Sequence, residues 1–404
     1  MGLLDDYRAV RARTAALAAP LSAEDQMVQS MPEASPTKWH LAHTTWFFET
    51  LVLAPHLAGH RPVDPRYGFL FNSYYEGLGP RVERGSRGQL SRPSLAEVRD
   101  YRARVDAAVE RFFEGEVPAA AAATLELGLH HEQQHQELLL TDIKHALGQQ
   151  PLRPAYQAPP APARRPPAPL RFRSFEAGVA AVGHQGAGFA FDNEGPRHRR
   201  FLEAFALAER PVTCGEYLDF MRDRGYQRPE LWLSDGWQRV QREGWRAPLY
   251  WEAGEGGWSV YTLGGVRPVD PEEAVAHVSY FEADAFARWA GARLPTEAEW
   301  EHAAAGAAVA GHFADAGRHH PGPAAAGMFG DVWQWTQSAY APYPGYRPPA
   351  GALGEYNGKF MCSQMVLRGG SCLTPAGHLR ATYRNFFPPE ARWQMSGIRL
   401  ARDG

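Results

Sequence analysis

Apolar positions in the first 150 residues recur every three or four places, the spacing of helices that bury one face. Such a stripe sets Leu4, Tyr7, Val10 and Leu17 near one face and predicts a helix from Leu3 to Ala19. Ser35-Pro36 offers an N-cap followed by a proline at the first helical position, predicting a helix through His43 to about Leu53, just short of Pro55. Ser94-Leu95-Ala96-Glu97 has the spacing of a capping box and opens a third, through Val98, Tyr101, Val105, Val109 and Phe112. A fourth reads from about Ala120 to Leu147 and stops near Gly148. Four helices make a bundle, an arrangement that often holds a metal between facing side chains. The link from about Gly59 to Pro93 is too long for an idle connection.

The pattern then changes. Pro151 to Pro169 holds eight prolines and no apolar period, so it is expected as an extended linker or a surface strap. Beyond it Gly, Trp and Tyr rise, and short strands separated by turns are expected. Arg199 and Arg200 precede Phe201, which opens an apolar run through Ala208 that reads as one strand. A helix is expected from about Glu282 to Ala290, and Thr296 with Glu299 forms a second capping box. No internal repeat is evident. The expected organisation is α+β: a four-helix bundle over 1–150, a linker over 151–169, and a mixed domain over 170–404.

Composition narrows the classes of function. A length of 404 residues suits two domains. The formal charge of −3 and pI of about 6.6 give no electrostatic case for nucleic acid or an anionic membrane as partner. No apolar run approaches a membrane span, and Met1-Gly2-Leu3-Leu4-Asp5-Asp6 lacks the basic and apolar blocks of a signal peptide. Three cysteines, Cys214, Cys362 and Cys372, fit a reducing cytoplasm better than a disulfide scaffold. A cytoplasmic soluble protein is expected.

The candidate chemistry lies in the fourth helix. His131 and His135, in His131-Glu132-Gln133-Gln134-His135-Gln136-Glu137, stand at i and i+4, so both imidazoles leave one face a turn apart. Leu127, Leu138, Leu139 and Leu140 make this helix apolar enough to be buried, and buried imidazoles need partners. A third imidazole from another helix would complete a neutral set suited to a divalent first-row metal, with positions left for reactants. His43, in Lys38-Trp39-His40-Leu41-Ala42-His43-Thr44, is the candidate. The competing reading is chance, since this spacing is common on helices. His40 and His130 point to other faces and are expected behind the ligands or on the surface.

Longer stretches carry a resemblance. Val212-Thr213-Cys214-Gly215-Glu216-Tyr217, Ala290 to Trp300, Gly330-Asp331-Val332-Trp333-Gln334-Trp335-Thr336, Leu367-Arg368-Gly369-Gly370-Ser371 and Ser396-Gly397-Ile398-Arg399-Leu400 resemble the formylglycine-generating-enzyme/sulfatase-modifying domain, a C-type-lectin-like fold. The N-terminal half resembles a DinB-type four-helix bundle with its HxxxHxE pattern. Joined in this order, they resemble the ergothioneine-type sulfoxide synthases, non-haem iron enzymes that attach sulfur oxidatively to imidazole C2 of hercynine (Nα-trimethylhistidine).

The resemblance implies iron(II) on His43, His131 and His135, with Glu137 in a supporting place. It implies a hydrogen bond from Gln134 to hercynine and active-site tyrosines at Tyr74 and Tyr75; without it, two adjacent tyrosines would read as loop packing. Three histidines in an octahedral site leave room for the substrate imidazole, a thiolate or selenolate, and dioxygen. A phenol beside iron can pass a proton to reduced oxygen. A trimethylammonium group favours aromatic faces, which Tyr383-Arg384-Asn385-Phe386-Phe387 and Trp393 offer in the matching region. Arg81, Arg84 and Arg87 suit a donor's carboxylate.

Two departures matter. After Arg368-Gly369-Gly370-Ser371 stands Cys372 without the following partner cysteine that formylglycine generation uses, so sulfatase activation is not expected. Val82-Glu83-Arg84-Gly85-Ser86-Arg87-Gly88 replaces a His-Pro-Arg-Pro-x-Arg-Gly run of the shorter branch of the family, and Met395 stands where Phe is usual. Losing a histidine and two prolines while gaining a glutamate alters the charge and stiffness of the donor loop. Either a cysteine-type sulfur donor or a selenosugar, the donor of selenoneine synthase, therefore fits. A non-catalytic lectin-like binding protein and a thiol transferase that uses no dioxygen are the competing classes.

Overall fold

The structure is a computed structural model that describes residues 2–159 and 167–404; part of the Pro-rich stretch, 160–166, lies outside the described residues. The chain divides into two compact units, Met1–Tyr156 with Pro348–Tyr356, and Gln157–Arg347 with Asn357–Gly404. A short piece of the C-terminal half thus belongs to the first unit.

The four longest helices described in that first unit are α1 (Leu3–Ala18), α2 (Thr37–Phe48), α3 (Leu95–Phe112) and α4 (Ala119–Gly148). The capping box at Ser94 and Glu97 starts α3 as expected. The start of α2 differs from expectation, because Pro36 and not Ser35 occupies the N-cap. The polar groups of Ser35 have tertiary partners instead: its N–H goes to Asp142 and its hydroxyl accepts from Arg87. The end of α2 also differs. A π-helical turn (Glu49–Leu53) leads into Ala54–His56, which takes up Pro55 in its first turn, where a missing N–H costs nothing.

α4 packs against α1 and α2, and α2 against α3. Gly128 permits a close approach of α4 to α2, since a Cβ there would lie 2.5 Å from the Phe48 ring and 2.9 Å from that of Phe47. Inside the bundle Glu132 ties three helices together, accepting from Arg11 at 2.9 Å and Arg102 at 2.5 Å. Burial alone would raise its pKa, but the guanidiniums of Arg102 and Arg11 outweigh burial and hold Glu132 at about 2. The long link is not idle. Its helix Tyr67–Phe71 lies along α2, where the Trp39 indole N–H reaches the Leu70 carbonyl at 3.1 Å. Farther along, the Lys38 ammonium holds the carbonyls of Leu90 and Pro93.

The second unit is mixed helix and strand, so the α+β class holds. Phe172–Phe175, Phe205–Ala208 and Ala401–Asp403 form an antiparallel sheet. A four-stranded sheet orders Asn385–Phe387, Met365–Arg368, Trp333–Ala339 and Ser396–Gly397. The run expected as one strand from Phe201 to Ala208 is two. His198–Leu202 pairs with Gly178–Val182, whereas Phe205–Ala208 belongs to the first sheet, so the chain changes sheets at Glu203 and Ala204. The expected helix near Glu282 spans Tyr280–Trp289 behind its own box, Ser279 with Glu282, and the Thr296–Glu299 box caps Glu297–Ala304.

Most of the long motifs turn out to be core. Trp300, Trp333, Trp335, Arg368 and Arg399 are among the largest fully buried side chains. Arg399 donates to Gln334 and to the carbonyls of Ala208 and Gly327. Gly369 has φ +97°, and a Cβ would meet Gln334 at 2.8 Å, which explains a glycine after Arg368.

Candidate metal centre

α2 presents His43 and α4 presents His131 and His135, and the three rings form a near-equilateral triangle with centroids 4.6 to 4.9 Å apart. All three are buried, with one ring nitrogen of each lying within 4.8 Å of the others. The rest of the helix surface fixes the rings in place. Trp39 and Trp46, a turn before and after His43, stack on it at 4.6 and 5.7 Å, and Phe47 packs on His131.

Hydrogen bonds decide which nitrogens are bare. His43 Nδ1 lies 2.6 Å from the Phe71 carbonyl, which can only accept, so the hydrogen sits on Nδ1 and Nε2 keeps its lone pair. That Nε2 lies 3.1 Å from His131 Nε2. Two imidazole nitrogens bound side by side at about 2.1 Å from one metal lie about 3 Å apart, so the spacing suits a shared cation. Burial keeps the rings neutral. It pushes His131 down to about 3, helped by repulsion from His40 and opposed by the charge of Glu132. Burial, then repulsion from His131, holds His43 and His135 well below 6.5. Three neutral imidazoles at neutral pH suit a divalent first-row ion.

Asn72 clamps the Tyr74-Tyr75 turn, its amide bonding both the N–H and the carbonyl of Tyr75. Tyr75 is fully buried and packs on Trp46 at 5.9 Å, with Tyr74 against it at 4.7 Å. Burial, reinforced by the phenols of Tyr74 and Tyr356, raises Tyr75 well above 10. Gln134 accepts from the phenol of Tyr356. His40 is buried against His135, Glu137 is buried on α4, and His130 is half-buried.

The three arginines behave differently from one another. Arg87 is buried with its guanidinium 3.5 Å from the centre of the Trp39 ring, donating to the hydroxyls of Ser35 and Ser73 while its Nε has no acceptor among the described residues. Burial, then repulsion from Arg84 and Arg81, lowers it to about 9 despite the attraction of Asp142. Arg84 is exposed and holds the Glu33 carbonyl, and Arg81 is paired with Glu76.

The aromatic segment lies in the second unit. Phe386 stacks on Tyr340 at 4.0 Å, Phe387 meets Trp393 at 6.3 Å, and the Asn385 side chain accepts from the Phe386 N–H. Arg384 departs from the ligand-binding role expected of it. Its guanidinium is buried and spent on Glu297 and on the carbonyls of Asn193 and Ala341, so it serves the core.

Sequence reasoning missed Tyr356. It joins the first unit, its ring 5.7 Å from His131 and 6.1 Å from Tyr74, and Glu355 beside it caps the N–H groups of Glu76 and Gly77. No local pattern marks it, because its partners lie more than 200 residues away in sequence.

These features define a class: a histidine-bearing helical bundle followed by a second domain whose signature residues are core. Residues 6–139 match the DinB superfamily, and 172–326 and 320–404 match the Sulfatase-modifying factor enzyme 1-like domain. The chain is 34% identical over 402 residues to the hercynine oxygenase of Mycobacterium tuberculosis, covering 92% of each chain. It is 33% identical to that of Mycolicibacterium thermoresistibile (92% of this chain, 88% of that one) and 32% to that of Mycolicibacterium smegmatis (99% and 98%). The formylglycine-generating enzyme of Streptomyces coelicolor is 29% identical over 62% of this chain and 95% of its own. The chain belongs to the hercynine oxygenase family.

Proposed function

We propose that the chain is an O2-dependent mononuclear non-haem iron(II) oxidoreductase that joins a chalcogen to imidazole C2 of hercynine, with His43, His131 and His135 holding the iron. The observation that carries this reading is the convergence of three buried neutral imidazoles in a chain about a third identical to named hercynine oxygenases. Bound iron(II) would supply the redox partner for dioxygen. With a thiol donor, hercynine C2–H, RS–H and O2 become the C2–S(=O)–R sulfoxide and water. Two of the four electrons come from coupling C–H with S–H and two from oxidising sulfur.

The protein's own groups would do the rest. Gln134, held by Tyr356, would orient the substrate imidazole through its amide. A phenol of Tyr74 or Tyr75 would hold the proton passed to reduced oxygen; a phenol this far above neutrality keeps its proton until one is needed. Helix packing and the tryptophans exclude water around His43. Three free thiols accord with a reducing, cytoplasmic setting.

Arg87 would bind a cysteine-type donor through its carboxylate. A second reading, selenosugar as donor, is favoured by the loop: Arg84 and Arg81 are committed elsewhere, and the hydroxyls of Ser35 and Ser73 beside Arg87 suit a polyol. The deciding assay supplies iron(II), hercynine and oxygen with cysteine, γ-glutamylcysteine and selenosugar in competition, read by mass spectrometry. A C2-linked sulfoxide or selenium adduct formed with oxygen uptake supports the proposal and names the donor. A folded, iron-loaded protein that forms neither product and consumes no oxygen would refute it.

A further inference from the structure

The bare nitrogen of His43 is settled by a carbonyl, which can only accept. That of His135 is not, because its neighbour is another imidazole. His40 Nδ1 lies 2.8 Å from His135 Nδ1, and a ring nitrogen can either give or take a hydrogen bond. The direction is set one step farther out. His40 Nε2 lies 3.0 Å from Asp142 Oδ2, and the same oxygen accepts the Ser35 N–H at 2.8 Å. A carboxylate oxygen accepting from a backbone amide accepts from the imidazole too. A neutral His40 therefore carries its hydrogen on Nε2 and turns a lone pair on Nδ1 toward His135. His135 must then hold its hydrogen on Nδ1, which leaves Nε2 bare.

We propose that His40 and Asp142 are positioning residues: a directed hydrogen-bond chain, Asp142 to His40 to His135, fixes which nitrogen of His135 is offered to the metal. The inference rests on the reading of His135 as a ligand. All members are buried, so water does not compete for these bonds: His40 is 2% exposed, Asp142 5% and His135 8%. Asp142 lies on α4 itself, seven residues beyond His135, while His40 comes from α2. The chain thus locks a ring of one helix through a ring of the other, and the Ser35 amide pins the start of α2 to the same carboxylate. With the opposite polarity, the hydrogen would sit on His135 Nε2 and shut that nitrogen to any cation. Partners behind metal-bound histidines commonly change affinity about 10- to 100-fold when removed.

The direct test needs no metal. In metal-free protein labelled with [15N]histidine, long-range proton–nitrogen correlations distinguish protonated from bare ring nitrogens, and the His135 signals are those lost in His135→Gln. A bare Nε2 with the hydrogen on Nδ1 is expected; a hydrogen on Nε2 would overturn the proposal. Cobalt(II) titrated against a chelator adds a second readout. His40→Phe, which keeps a ring and removes the acceptor, should bind about 10- to 100-fold more weakly. His40→Asn, whose amide oxygen can stand where Nδ1 stood, should recover most of the loss. Equal affinity in folded His40→Phe and the parent would overturn the proposal. A bare His135 Nε2 in a parent that binds neither cobalt nor iron would instead refute the ligand reading and leave the hydrogen-bond order standing.

Discussion

The two units bury charge in opposite ways. In the second, Arg368 and Arg384 converge on Glu297, Arg368 also holds Glu301, and their other bonds go to carbonyls and a phenol, while Arg368 Nε has no acceptor among the described residues. Opposite charges are matched inside the fold. In the first unit, the Glu132 network is charge-matched in the same way, but close by the neutral imidazoles of His43 and His131 approach to 3.1 Å and Arg87 gives its bonds to the hydroxyls of Ser35 and Ser73. The difference lies in charge matching: carboxylates balance the buried arginines of the second unit, whereas the candidate centre gathers neutral imidazoles. The contrast matters because the longest recognisable motifs fall in the charge-matched part.

The contrast can be broken or sharpened by substitution. The largest stability cost is expected for Arg368→Met, which strips a cation from two buried carboxylates; the second unit should lose about 3–5 kcal/mol, read by denaturant unfolding. Acid should attack the same cluster. Burial would raise Glu297, but Arg384 and Arg368 outweigh it and hold its pKa below the ordinary 4.5. Its contribution to stability is complete above 4.5 and drains away as the pH falls from there toward the depressed folded value. A pH series of unfolding curves on the parent and Glu297→Gln should converge at low pH, and parallel curves would show that this pairing carries no pH dependence.

Gly128→Ala pushes a methyl into the rings of Phe47 and Phe48, and should cost about 1–3 kcal/mol. It should also weaken metal binding without touching a ligand, because it moves α2, and with it His43, away from α4. For His131→Ala the balance reverses: the folding transition should shift by only about 1–2 kcal/mol while iron content after anaerobic reconstitution falls to background. Retained iron would remove the site assignment. Smallest is Tyr356→Phe, which deletes one hydrogen bond to Gln134 worth about 0.5–1.5 kcal/mol. Under the proposed function it should raise the KM for hercynine and leave iron content alone.

Much of the bundle was legible because its signals are local. Periodicity, the box at Ser94 and the i, i+4 histidines all act within a turn or two of helix. What escaped depends on distant partners. Ser35 has the residue type of an N-cap, yet Asp142 and Arg87, both far along the chain, claim its polar groups. The strand expected at Phe201–Ala208 breaks because its two ends join different sheets, a fact of topology that an apolar run does not carry. Arg384 sits among aromatics as a ligand-binding arginine would, and only the structure places Glu297 against it. Tyr356 has no signal at all until the fold brings it to Gln134.

The most direct test of the account is X-ray absorption at the iron edge of the protein reconstituted anaerobically with iron(II), set beside the same measurement on His43→Ala. One iron per chain, with the outer-sphere scattering of three imidazoles that drops to two or vanishes in the variant, is the expected result. Iron held without imidazole, or a spectrum that ignores the loss of His43, would contradict it.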